Sequence, residues 1–220
     1  MAVTEHDRFN PPSFDDTIIL PGVEVSSKDG HVIALGVKEA ILPRLSADET
    51  IRIIHDQGGI AIIPHPYDPV CECVRISCLR ARPDAVETFN ADALLFMLSN
   101  WLAERDARRL GLPAVGGSDS HIPETIGDCY TVVDSSTRSV SDILDAVRAG
   151  KVYPEGHATS LMNKWRKLRF KFKRQDDPPP TGGMIAKVQP SLNGVSYPFR
   201  LEIISSSTIN WRNAFGAPVS

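Results

Sequence analysis

Three short apolar, β-prone runs in this chain end on side chains that bind metals, and that repetition constrains its fold more than any other feature. They are Val3-Thr4-Glu5-His6-Asp7, Ile63-Pro64-His65-Pro66 and Gly117-Ser118-Asp119-Ser120-His121, and a fourth run, Pro21-Gly22-Val23-Glu24-Val25, sets a carboxylate in the same context. Strands that stop on His, Asp and Glu gather polar groups at one end of a sheet or barrel, where a cation can be held. Ordinary core packing does not produce four such coincidences.

Each run has a physical reading of its own. Asp119 and His121 are two apart, so on an extended segment both point to one face. Gly116 and Gly117 precede them and remove side-chain bulk where backbone and a cluster would come close. Taken alone, the pair also fits a surface turn. His65 stands between two prolines that stiffen the backbone, although a single histidine in such a place is more often a hydrogen-bonded core residue. Glu24 interrupts a run suited to burial, and a buried carboxylate is costly unless it is paired or bound to a cation. His31 follows the turn Lys28-Asp29-Gly30 and opens the next apolar strand, where it could face the same centre, and His6 completes the set. His55 lies mid-helix and reads as structural, and His157 is left without a role.

The pattern of strand and helix signals over residues 1–160 implies an α/β architecture with parallel strands. Strands are expected at residues 1–4, 18–25, 31–36, 60–64, 85–89, 114–116 and 130–133. One helix opens at Ser46, with Glu49 in the capping-box position and Gly58-Gly59 as its stop. Others are expected at about 94–110 and from Ser139 or Ser141 to Gly150. The expected organisation is one main domain over 1–160, a basic amphipathic helix over 161–174, and a Pro/Gly linker with a poorly defined tail over 175–220. Residues 199–204 are the one plausible strand in that tail.

With 220 residues, 42% hydrophobic and 23% charged, the chain has the composition of a globular protein. Its formal charge of −3 hides a local asymmetry: Lys164, Arg166, Lys167, Arg169, Lys171, Lys173 and Arg174 form a basic run with no acidic residue. Leu161, Trp165, Leu168 and Phe172 share one face of that helix. The plainer expectation is a helix docked by this apolar stripe; the alternative is contact with nucleic acid or anionic lipid through Lys164 to Arg174. Cys71, Cys73, Cys78 and Cys129 make no disulfide framework and read as reduced thiols in a cytoplasmic protein. A zinc loop built on the first three lacks an evident fourth ligand. No apolar run reaches the length of a membrane span.

The succession A-V-T-E-H-D, I-L-P-G-V-E-V-S, G-H-V-I-A-L-G, G-G-I-A-I-I-P-H-P, V-E-T-F-N-A and G-G-S-D-S-H resembles, in order, the PHP (polymerase and histidinol phosphatase) family of metal-dependent phosphoesterases. The resemblance covers about residues 1–160. It implies a distorted seven-stranded (β/α) barrel and a site for two or three divalent ions, manganese, zinc or iron. Carried over position by position, His6, Glu24, His31, His65, Asp119 and His121 are the implied metal ligands, with Glu24 bridging. Glu87 and Asn90 match a strand-end motif that supports the ligands from behind. The family normally begins with a strand ending in His-x-His, and this chain starts at the later T-E-H-D motif. One missing barrel strand forfeits about 5–12 kcal/mol of apolar burial, as much as the whole stability of a typical domain. The explanation favoured is a start upstream of Met1; a substitute from the tail or a decaying copy are the others.

The activity implied is hydrolysis of phosphate esters: a small phosphomonoester, a nucleotide or an oligonucleotide end. Glu24, His65 and Asp119 are the expected catalytic residues, holding the metals that activate water for in-line attack. Lys28, Asp29, Arg75, Arg80 and Arg82 are candidates for substrate contact. The rival expectation is a truncated relic that binds a metal or a partner without turnover.

Overall fold

The computed structural model describes residues 1–13, 17–173, 199–201 and 203–205, with side chains up to Arg169. The expected linker and tail over 175–220 therefore lie outside the described residues, apart from two three-residue strands. The strands are β1 (Ala2–Thr4), β2 (Leu20–Ser27), β3 (Gly30–Leu35), β4 (Ile60–Ile63), β5 (Ala85–Asn90), β6 (Ala114–Gly117), β7 (Cys129–Val133), β8 (Val152–Gly156), β9 (Phe199–Leu201) and β10 (Ile203–Ser205). The helices are α1 (Ala47–Asp56), α2 (Phe96–Leu110), α3 (Val140–Arg148) and α4 (Leu161–Lys173).

Seven strands form one sheet in the order β10-β1-β2-β3-β4-β5-β6, and β8-β7-β9 form a second. The larger sheet curls until its outer strands β10 and β6 approach each other. The architecture is thus mixed α/β with a half-barrel sheet. The expectation of parallel strands needs correction at β3, which runs antiparallel to both β2 and β4. Only Lys28 and Asp29 connect β2 to β3, and so short a link permits no parallel pairing. Gly30 closes this hairpin at φ 125°, and a Cβ there would lie 2.6 Å from the backbone of Cys73 and Val74. Any other residue would push that loop away.

Both faces of β2 to β5 are covered. Val23, Val25, Val32 and Ala34 pack outward against Ile51 and Ile54 of α1. Leu20, Ile33, Leu35 and Ile62 pack on the other face with Val115 and with Ile143, Leu144 and Val147 of α3. Ser46 caps α1 as its sequence indicates: its hydroxyl accepts the Glu49 N–H, and the Glu49 carboxylate accepts the Ser46 N–H at 2.9 Å. Such a cap contributes about 1 kcal/mol, whereas burying Ile51 and Ile54 contributes roughly 1.5–3 kcal/mol each. The cap therefore sets where α1 starts and packing holds it in place.

Helix α4 forms where the basic periodicity puts it, but it does not dock by its apolar stripe. Leu161, Trp165 and Leu168 are exposed, and Phe172 lies beyond the described side chains. The helix is instead tied down by lysines: Lys164 Nζ donates to the carbonyls of Asp92 and Ala93 at 3.0 and 2.8 Å, and Lys167 pairs with the Asp92 carboxylate.

Candidate metal centre

The centre is assembled from strand ends. Glu24 sits in the middle of β2, and because both faces of that strand are covered its carboxylate is buried. Residue 6 pairs with residue 24 in parallel register, fixed by Asp7 N–H to Glu24 O at 2.9 Å and Glu24 N–H to Glu5 O at 3.1 Å. His31 lies two residues before Ile33, the residue directly opposite Glu24, so the alternation of β3 turns its ring to the same face. His65 stands two residues past the end of β4 and Asp119 two past the end of β6.

These placements converge. His31 Nδ1 lies 3.1 Å from Glu24 Oε1, His65 Nε2 is 3.3 Å from the same oxygen, and His6 Nε2 is 3.7 Å from Oε2. The His31 ring packs edge-on to both His6 and His65. His6, Glu24 and His31 offer donor atoms that all fall within 4.8 Å of one another. Asp119 lines one recess together with Glu24, His65, Glu87 and Asn90. His121 Nδ1 donates to the Asp119 carbonyl at 2.9 Å, the tautomer in which Nε2 is the metal donor.

The second row is equally specific. Glu87 Oε2 accepts the His65 N–H and the Asn90 amide, both at 2.9 Å, and Asn90 Nδ2 also donates to Asp119 Oδ2 at 3.3 Å. Asp7, His65 and Asp119 have φ of 54°, 32° and 46°. Three of these uncommon conformations at the strand ends of one site mark strain held in place for a purpose.

Electrostatics follow from burial and from the imidazoles. Burial alone would raise the Glu24 pKa, but the close approach of the His31 and His65 imidazoles and the charge of His6 hold it well below the usual carboxylate value. His65 shows the reverse: burial would lower it, and Cys73 and Glu24 raise it well above an ordinary imidazole. Burial pushes Glu87 up to about 7, with His65 opposing and Asp119 adding to the rise.

A divalent cation fits this donor set. His31 Nδ1 is buried without a well-directed hydrogen bond in spite of its short approach to Glu24. An ion between the two would satisfy a nitrogen lone pair and a carboxylate together, and mixed N/O donors suit manganese, zinc or iron.

Several expectations are revised here. Gly116 is needed for strand packing and not for clearance of a cluster: a Cβ there would meet Tyr130 O at 2.9 Å, and Thr131 Oγ1 bonds both backbone groups of Gly116. Asp29 Oδ2 accepts the Ala47 N–H and Arg82 donates to Gly111 O, so both serve the fold. His55 is structural, 2.8 Å from Asp84. The sequence marks Cys73 only as a member of an incomplete zinc loop and gives Glu72 no role, whereas Glu72 Oε2 lies 3.9 Å from His31 Nε2 and Cys73 Sγ 3.9 Å from His65 Nδ1. Only the fold brings that loop to the histidines.

Comparison with known proteins bears on the same residues. The model of the PHP-associated family matches residues 98–152, a stretch that contains Asp119 and His121. The curled sheet is shared with two solved structures. One is a two-domain protein from Bacteroides vulgatus containing a predicted PHP-like metal-dependent phosphoesterase: TM-score 0.53, 17% identity, 76% of this chain and 59% of that one. The chain is thus similar to PHP proteins over this stretch and in fold. The other is PsfC from Pseudomonas syringae: TM-score 0.55, 18% identity, 74% of this chain and 69% of that one.

Two uncharacterised proteins of Methanocaldococcus jannaschii are also similar. MJ1587 is 41% identical over 73 residues, 33% of this chain and 43% of the relative. MJ0417 is 25% identical over 136 residues, 59% of this chain and 55% of the relative. The matches to this chain thus span about half the length of those relatives.

Proposed function

We propose that this chain is a PHP-type protein that holds divalent metal through His6, Glu24, His31, His65, Asp119 and His121 and hydrolyses phosphate esters. The observation that carries the reading is Glu24, a buried carboxylate reached by three imidazoles. The metal-dependent phosphoesterase named for the Bacteroides relative agrees with it. On this reading the curled sheet is an opened form of the distorted seven-stranded β/α barrel.

A bound divalent cation supplies Lewis-acid polarisation of a phosphoryl oxygen and lowers the pKa of coordinated water. The chain's own residues do the rest. Glu24 stays ionised near neutral pH, and His6, His31 and His65 set its two oxygens. Asn90 holds the Asp119 carboxylate in line with the recess, and Glu87, with a pKa of about 7, can keep or release a proton behind His65. The recess lined by Glu24, His65, Glu87, Asn90 and Asp119 is too slight to enclose a whole ligand. On this reading a phosphoryl group would meet the site at its mouth, and the remainder of a small phosphomonoester, nucleotide or oligonucleotide end would lie outside it. The free cysteines fit a reducing compartment such as the cytoplasm, and no helix among the described residues is long and apolar enough to cross a membrane.

A second reading, binding of one ion without turnover, is favoured by the confinement of the tightest group to His6, Glu24 and His31. Chelated protein reloaded with manganese, zinc or ferrous iron and offered an aryl phosphate and a short oligonucleotide separates the two. Metal-restored release of product supports hydrolysis, and metal binding without product supports the second reading.

A further inference from the structure

Two helices beside the metal centre turn apolar side chains to solvent. Helix α2 buries Ser99, Asn100, Ala103, Asp106 and Ala107, and Met97, Leu98 and Trp101 on its other side are all at least half exposed, Met97 by 80%. Helix α4 does the same with Leu161, Trp165 and Leu168, Leu161 by 85%. An amphipathic helix normally packs such a stripe inward. Here the polar sides do the packing: Lys164 and Lys167 reach Asp92 and Ala93, and Thr159 N–H donates to Ala91 O at 2.8 Å. The anchoring segment 91–93 leads directly into α2, so the two outward stripes flank one stretch of chain.

Positive charge accompanies both stripes. The Arg169 guanidinium lies 4.7 Å from the Trp165 ring; that of Arg105 lies 5.7 Å from the Trp101 ring and is also paired with Asp106 at 3.2 Å, so the uncompensated charge is chiefly that of α4. Residues 161–174 contain no acidic side chain. The occupant this face fits is therefore anionic and also able to take up aliphatic surface.

We propose that the outward stripes of Met97, Leu98 and Trp101 on α2 and of Leu161, Trp165 and Leu168 on α4 dock on an anionic lipid surface. Tryptophans sit at the headgroup level of a bilayer, leucines and methionine enter the acyl boundary, and the arginines meet lipid phosphate or carboxylate. Single-stranded nucleic acid would stack on the tryptophans, yet Met97, Leu98, Leu161 and Leu168 offer no stacking plane and would stay in water. A second copy of this face would set Arg166 and Arg169 against their own charge. At 13 residues, α4 lies on such a surface and does not span it. The proposal is independent of the phosphoesterase reading.

The test is sedimentation of the full chain with phosphatidylcholine vesicles containing about one-third phosphatidylserine, beside pure phosphatidylcholine vesicles and a labelled single-stranded RNA. The expected result is pelleting with the anionic vesicles at least about tenfold stronger than with neutral ones, since two signals are needed for stable attachment. It is lost in Trp165→Glu/Leu168→Glu and, separately, in Met97→Glu/Trp101→Glu. Both pairs are exposed, and an unchanged circular-dichroism spectrum and thermal melt report that they fold. Equal pelleting with neutral vesicles, pelleting unchanged in both double variants, no pelleting, or binding of RNA alone would overturn it.

Discussion

Glu24 Oε1 receives His65 Nε2 at 3.3 Å in a space from which water is almost excluded, the Glu24 side chain being 1% and the His65 side chain 4% exposed. Removing one member of such a pair leaves the other uncompensated. Glu24→Gln is expected to destabilise the chelated protein by about 3–5 kcal/mol near pH 6. Urea denaturation of the two proteins measures it, and a loss under about 1 kcal/mol would show that the imidazoles do not depend on this carboxylate.

Glu87 gives a pH signature of its own. Its folded pKa, about 7, is raised above the ordinary 4.5, so its contribution is full below pH 4.5 and is lost as pH rises through 7. At 1.36 kcal/mol per unit the loss is on the order of 3 kcal/mol. Glu87→Gln, which keeps an acceptor for the His65 N–H, should remove that part of the decline. Denaturation midpoints of the chelated protein between pH 5 and 8 should converge for wild type and variant at the acid end and diverge, in the variant's favour, at the alkaline end.

Much of this centre is legible in the sequence because its signals are local. The capping box of α1 needs only Ser46 and Glu49, and a carboxylate at Glu24 inside an apolar run announces burial that something must compensate. The two-residue link Lys28-Asp29 also encodes the antiparallel β3, although alternating strand and helix signals pull toward a parallel reading. Periodicity says that Leu161, Trp165 and Leu168 share a face, but not which way the face points, and lysine anchoring at Asp92 decides that. β8 was missed because Val152-Tyr153-Pro154-Glu155-Gly156 carries a proline and a glycine, tolerated because β8 is an edge strand. Glu72 and Cys73 approach the histidines only through tertiary folding.

Asn90 donates to both Glu87 and Asp119 and would act on a bound metal through them. Asn90→Ala is expected to lower metal affinity about 10- to 100-fold, as loss of a supporting hydrogen bond to a ligand does, and to leave the fold intact. Calorimetric titration and a thermal melt, run together, check both halves.

If hydrolysis is confirmed, Asp119→Ala should abolish it, while the group at His6, Glu24 and His31 still takes up one ion. Product release and metal content measured on one preparation distinguish a failed reaction from a failed site. Simultaneous loss of all metal would mean that Asp119 belongs to the same ion as Glu24.

The central claim is that Glu24 and its imidazoles form a metal centre, and the most direct measurement is calorimetric titration of the chelated protein with zinc and manganese at pH 7.5, repeated on His31→Ala. Saturable uptake of at least one ion with proton release is expected, because His65, whose pKa is raised, must deprotonate to ligate, together with a loss of at least about tenfold in affinity in the variant. Absence of saturable uptake, or identical affinity in His31→Ala, would contradict it.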